Sequence, residues 1–162
     1  MKVFALVLII AGLSISAIAQ STSSIQGVWQ LTEVTMTGAD GKAETEKVTQ
    51  PSMYLFTKSH YSIIYVASDK PREMMDDYSK ATKEQLMSIF VQSFVANAGT
   101  YEVKDGKLTV HPTVAKLPGY MKDGTWSTSL MKMSGNTMTL ISDSSNSGPS
   151  KNPITYKLTR IE

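Results

Sequence analysis

Cysteine is absent from the 162-residue chain. That removes a disulfide framework, thiol catalysis and thiolate metal sites together, and with them the cysteine that a lipoprotein anchor needs just after its leader. Histidine is almost as scarce. His60 and His111 are the only two, and neither has a second histidine or a carboxylate at ligand spacing, whereas a metal site takes three or four such groups. No metal and no cofactor are therefore expected. Charge of one sign is also missing: 16 basic residues against 14 acidic ones leave a net +2. The basic residues are scattered, so no stripe exists to follow a phosphate backbone, and nucleic acid is not an expected partner. There is no Gly-x-Ser-x-Gly elbow, no phosphate loop and no dinucleotide fingerprint, although a triad assembled in space needs no such motif.

The longest apolar run stands at the start. Lys2 supplies a short positive region, residues 3–12 are apolar, residues 13–18 are more weakly so, and Ala17-Ile18-Ala19 is a small-x-small cleavage pattern. The run is too short for a good membrane span. We expect residues 1–19 to be a signal peptide cut after Ala19. Residues 20–162 would then form one soluble domain, secreted or periplasmic, with no stable membrane anchor. About 140 residues can bury a core without covalent staples.

The rest reads mostly as strands. Residues 25–36 place Trp29 and Leu31 on one face and Val28, Gln30 and Thr32 on the other. A Gly38-Ala39-Asp40-Gly41 turn leads to a short polar strand over 43–48. Residues 52–57 and 61–67 are rich in β-branched and aromatic residues and are joined tightly, so they predict a hairpin. A charged loop over 68–81 precedes the one helix expected, over 83–97. Thr82 and Gln85 form its capping box, and Leu86, Ile89, Phe90 and Phe94 form an apolar stripe widened by Met87, Val91 and Val95. Gly99 ends that segment. Asp105-Gly106 turns a hairpin over 100–111. A long link over 112–124 carries Tyr120 and Met121. A second hairpin spans 125–142, a Ser-rich loop 143–152, and the last strand 153–161, with Ile154, Tyr156, Leu158 and Arg160 on one face. Hairpin order means antiparallel pairing. Such a set closes into a barrel or folds into a sandwich, and periodicity alone does not choose.

Particular residues favour the barrel. Gly27-Val28-Trp29 resembles the G-x-W that opens lipocalin and calycin barrels. The run Gln50-Pro51-Ser52-Met53-Tyr54-Leu55-Phe56-Thr57, then His60-Tyr61-Ser62, then Asn97-Ala98-Gly99-Thr100-Tyr101, is similar to the bacterial lipocalin-like domain proteins over about 25–161. The resemblance implies an all-β, antiparallel up-and-down barrel of about eight to nine strands with one inserted α-helix. It also implies that Gly27, Trp29 and Arg160 close one end, Arg160 packing as a cation across Trp29. A strict lipocalin carries its long helix after the strands; here the expected helix is in the middle, and the later lipocalin motifs are not recognisable.

The function so implied is binding of a small, largely hydrophobic or amphiphilic molecule outside the cytoplasm. The candidate ligand-binding residues are Glu33, Tyr54, Phe56, Tyr65, Tyr101, Trp126 and Tyr156, because aromatic rings with polar handles suit a mostly apolar pocket. Strict alternation aims Glu33 inward with Trp29 and Leu31, where a buried carboxylate could anchor a ligand or act as a base. The open rim is the favoured position, since unpaired buried carboxylates are rare. Met121, Met131, Met133 and Met138 suit an adaptable cavity but are more simply core filling. Two alternatives stay open. One is a calycin-type enzyme using Glu33 with Tyr54 or His60, less favoured than a binding module, with no catalytic residue assigned. The other is a barrel filled by its own side chains and working through its surface.

Overall fold

The computed structural model describes residues 22–38, 41–72 and 74–162, so the expected leader and residues Ala39, Asp40 and Glu73 lie outside the described part. Its strands are β1 (Gly27–Thr37), β2 (Ala43–Lys47), β3 (Ser52–Phe56), β4 (His60–Val66), β5 (Phe94–Lys104), β6 (Lys107–Ala115), β7 (Ser127–Ser134), β8 (Thr137–Ser145), β9 (Gly148–Pro149) and β10 (Thr155–Arg160). Every pairing is antiparallel, and the order β1-β3-β4-β5-β6-β7-β8-β10 returns to β1, which closes an eight-stranded barrel. The two extra strands stay outside the ring: β2 lies along the far half of β1, and β9 folds back on the end of β8. Closure leaves the ring without an unpaired edge.

Turn chemistry fixes the register. Asp105 and Gly106 have φ of 51° and 71°, the left-handed pair that a type I′ hairpin requires and that matches the twist of β5 and β6. A bulge interrupts β1 where Leu31 faces Leu158 and the next partners are Glu33 and Lys157, leaving Thr32 extra. One extra residue reverses the faces beyond it. Trp29 and Leu31 point in, and so do Val34 and Met36, while Glu33 points out. The Ser52 hydroxyl supports the bulge, accepting from the Leu31 N–H at 3.0 Å.

The helix is shorter than the sequence predicts. The Thr82–Gln85 capping box is present, with both reciprocal bonds made, but the α-helix covers only Lys83–Leu86 and continues as a π-helical stretch, Met87–Gln92. Phe94 and Val95, expected on its apolar stripe, instead begin β5 and pair with Val66 and Tyr65 of β4. A β-branched and aromatic segment next to an open strand edge gains more from the ladder than from another helical turn. Of the expected stripe, Ile89 is buried, while Met87, Phe90 and Val91 are exposed. Gly99 does not end the segment. It stands inside β5 at a bulge, where a Cβ would come within 2.0 Å of the His111 carbonyl oxygen. Strands also reach further into the expected linkers: β6 runs to Ala115, and β8 and β9 occupy much of 143–152.

The core fills one half of the barrel. Trp29, Phe56, Met138 and Leu158 are all but inaccessible to water, joined by Tyr101 and Met131. A short 3-10 turn, Thr22–Ile25, crosses this end, and Ile25 is fully buried. At the other end the inward positions carry smaller side chains, among them Val34, Val95, Val110 and Ser142. Large residues pack one half, while at the other end these smaller ones share the lining with tyrosines and leave a hollow.

Candidate functional site: a two-chambered barrel mouth

The closed end sets the floor. Trp29 and Arg160 are direct partners across β1 and β10, and the guanidinium lies over the indole at 4.1 Å from the ring centroid. Arg160 also donates to the carbonyl oxygens of Ser24, at 2.6 Å, and Gln26. The Trp29 indole N–H donates to the Ile25 carbonyl at 2.8 Å. Gly27 has φ of +129°, and a Cβ there would meet the Glu162 carbonyl oxygen at 2.3 Å. Glycine is needed at this position for both its backbone angle and its lack of bulk.

Above this floor lies a chamber of about 450 Å³, within the size range of small-molecule sites. Its aromatic wall is Tyr54, Tyr65 and Tyr156, from β3, β4 and β10. Its aliphatic wall is Ile63, Val95 and Val110, and its far wall carries the hydroxyls of Ser127, Thr128 and Ser142. Tyr120, on the 3-10 turn Pro118–Met121, reaches the lining from the β6–β7 link and is half exposed. A second chamber of about 880 Å³ opens beyond, between β1, β2, the end of β4 and the helical segment. The two share Tyr65 and Tyr156, whose hydroxyls lie close enough to influence each other. That pair is the partition between them.

The phenols are neutral groups. Burial pushes the Tyr54 hydroxyl well above the usual phenol value, helped by Tyr65 and Tyr156 nearby. Burial also raises Tyr65 and Tyr156, and Tyr120 adds to both. Tyr61 is raised as well and donates to Asn97 Oδ1 at 2.7 Å. Desolvation penalises the charged form, so at neutral pH these groups are hydrogen-bond donors without charge.

The residues singled out from the sequence divide. Tyr54, Tyr65 and Tyr156 come together on one wall of the inner chamber. Phe56 and Tyr101 do not join them: they pack edge to face at 5.3 Å in the closed half, and the Tyr101 hydroxyl donates to the Thr57 carbonyl. Trp126 precedes β7 and borders neither chamber. Glu33 lies on the outer face, both carboxylate oxygens 3.2 Å from Lys157 Nζ, because the bulge at Thr32 turns it away. Glu33, Tyr54 and His60 therefore do not assemble: His60 is exposed at the start of β4, with its ring nitrogen 3.0 Å from Ser59 Oγ. Among the described residues no group of three or more His, Asp or Glu side chains is gathered as a metal site. Asn97 and Val95 escaped the sequence reading because they were assigned to the helix. Ser142 escaped it because a serine at a strand end carries no signal of facing inward.

No helix among the described residues is long and apolar enough to cross a membrane. Searches of curated proteins and of solved structures each found no match. A family model described as a lipocalin-like domain matches residues 26–152. The match runs from the strand that carries Trp29 almost to β10. Together with the closed antiparallel ring and its single hollow end, it means that this chain belongs to the lipocalin-like domain family.

Proposed function

We propose that this protein binds a small, largely apolar molecule in the open half of its barrel and does so outside the cytoplasm. The observation that carries the reading is the contrast between the two halves. The closed half is packed with Trp29, Phe56, Met131 and Met138, while the open half keeps about 450 Å³ behind the Tyr65–Tyr156 pair and a wider vestibule in front of it. A barrel working only through its surface has no need of such a hollow, since eight strands can be filled by side chains. Against an enzymatic role stands the separation of Glu33 and His60 from the chamber. The extracytoplasmic placement rests on the leader pattern of residues 1–19 and the absence of cysteine.

The test is titration of the purified domain with phenylnaphthylamine, an uncharged dye whose emission rises in apolar surroundings. Saturable enhancement at one site per chain, weakened by filling the chamber with Ser142→Phe, supports the proposal. A signal that never saturates, or that Ser142→Phe leaves unchanged in a folded variant, overturns it.

A further inference from the structure

The lining of the inner chamber contains no Asp, Glu, Lys, Arg or His among the described residues. Every polar group on it is a hydroxyl or an amide. Two of those with a donor to spare are Tyr54 and Asn97. The Tyr54 side chain is 4% exposed, borders the chamber, and its hydroxyl makes no hydrogen bond among the described residues. Asn97 spends its Oδ1 on Tyr61, which leaves its NH₂ group. A buried donor without an acceptor costs free energy, and a bound acceptor recovers it.

Resting on the binding reading above, we infer that the inner chamber takes the uncharged oxygen head, a hydroxyl or carbonyl, of an otherwise apolar ligand. Tyr54 and Asn97 hold that head, and carboxylates are rejected. The apolar remainder passes the Tyr65–Tyr156 pair and lies against Leu31, Val34 and Met36 in the outer chamber. An ionised carboxylate would meet the same donors, but it would leave water for a space with no cation to pair with it, and that desolvation outweighs two neutral hydrogen bonds. The outer chamber does not rescue it. The charged side chains at its border are Glu46, Lys47 and Asp69, two anions to one cation. The chamber phenols stay protonated because burial raises them, so their donor character holds across the neutral range.

The experiment is displacement of bound phenylnaphthylamine by decanol and by decanoate at pH 7.5, on the native domain and on Tyr54→Phe. Decanol is expected to bind at least about tenfold more tightly than decanoate. Tyr54→Phe is expected to weaken decanol about two- to tenfold, the worth of one neutral hydrogen bond, each displacement being referred to the dye affinity measured on the same variant. The variant should fold, because it removes only a hydroxyl that has no partner. Equal displacement by the two compounds overturns the inference, as it would mean that the head lies in water at the rim. So does an unchanged decanol affinity in Tyr54→Phe, since selectivity would then be mere hydrophobicity. If the dye itself does not bind, the cavity reading fails first and the inference falls with it.

Discussion

Replacing Arg160 by methionine separates the guanidinium from its apolar stem, because methionine keeps a flexible chain against Trp29 and loses the charged fork. Three interactions disappear together: the contact over the indole at 4.1 Å and the bonds to the Ser24 and Gln26 carbonyls. A cation over a tryptophan face is worth about 0.5–2 kcal/mol. Each charge-assisted bond is worth about 1.5–3 kcal/mol when fully buried. Both bonds here are only partly buried, so water recovers a share of them when the guanidinium goes. A net loss of about 2–4 kcal/mol follows, which for a domain of this size is a Tm fall of roughly 5–15 °C. Arg160→Lys keeps the charge but cannot reach two carbonyls from one plane, and should fall about halfway. Thermal unfolding followed by far-ultraviolet circular dichroism reads both variants. Dye affinity measured well below the Tm should be unchanged, since Arg160 stands at the closed end and the chambers at the other. A loss under about 0.5 kcal/mol for Arg160→Met, or Arg160→Lys equal to the native protein, would refute the claim that the fork closes this end.

Two further outcomes can be checked alongside. Gly27→Ala should cost about 2 kcal/mol or more in chemical denaturation, since φ of +129° strains any L side chain and the new Cβ would press on the Glu162 carbonyl; Gly119→Ala, with open space around it, should stay within about 0.5 kcal/mol of the native protein. Stability should be level between pH 7 and about 9 as far as the chamber tyrosines decide it, and fall above pH 10. Their folded-state values are raised above the ordinary phenol value of 10.0, so above that pH the unfolded chain releases protons that the folded chain still holds. Thermal melts across that range give the slope, and a Tm that rises above pH 10 would contradict the burial of these hydroxyls.

Much of the fold was legible because local chemistry and tertiary demand agree. Asp105-Gly106 can hardly be anything but a tight hairpin turn, and β3 and β4 are patterned and composed as strands. Gly27, Trp29 and Arg160 stand where a closed barrel end needs them. Where the two disagree, the sequence misleads. Residues 93–97 carry a helical stripe in continuation of Leu86 and Ile89, yet the open edge of β4 takes Phe94 onward into the ladder. Glu33 has the right parity for an inward carboxylate until one extra residue, Thr32, reverses it; a bulge leaves no mark in composition.

The sequence by itself determined that the protein has no thiol chemistry, that its strands follow one another as hairpins, and that its aromatic residues include those of the chamber wall. These depend on residue type and on neighbours a few positions away. Only the tertiary structure decided which aromatics pack and which line a space. Tyr54 and Phe56 lie two residues apart on the same face of β3; both belong to the buried core, but only Tyr54 also borders the inner chamber. Phe56 meets the Tyr101 ring edge to face, whereas Tyr54 stands with Tyr65 and Tyr156 beside open space. That is a property of ring closure, which no single strand carries.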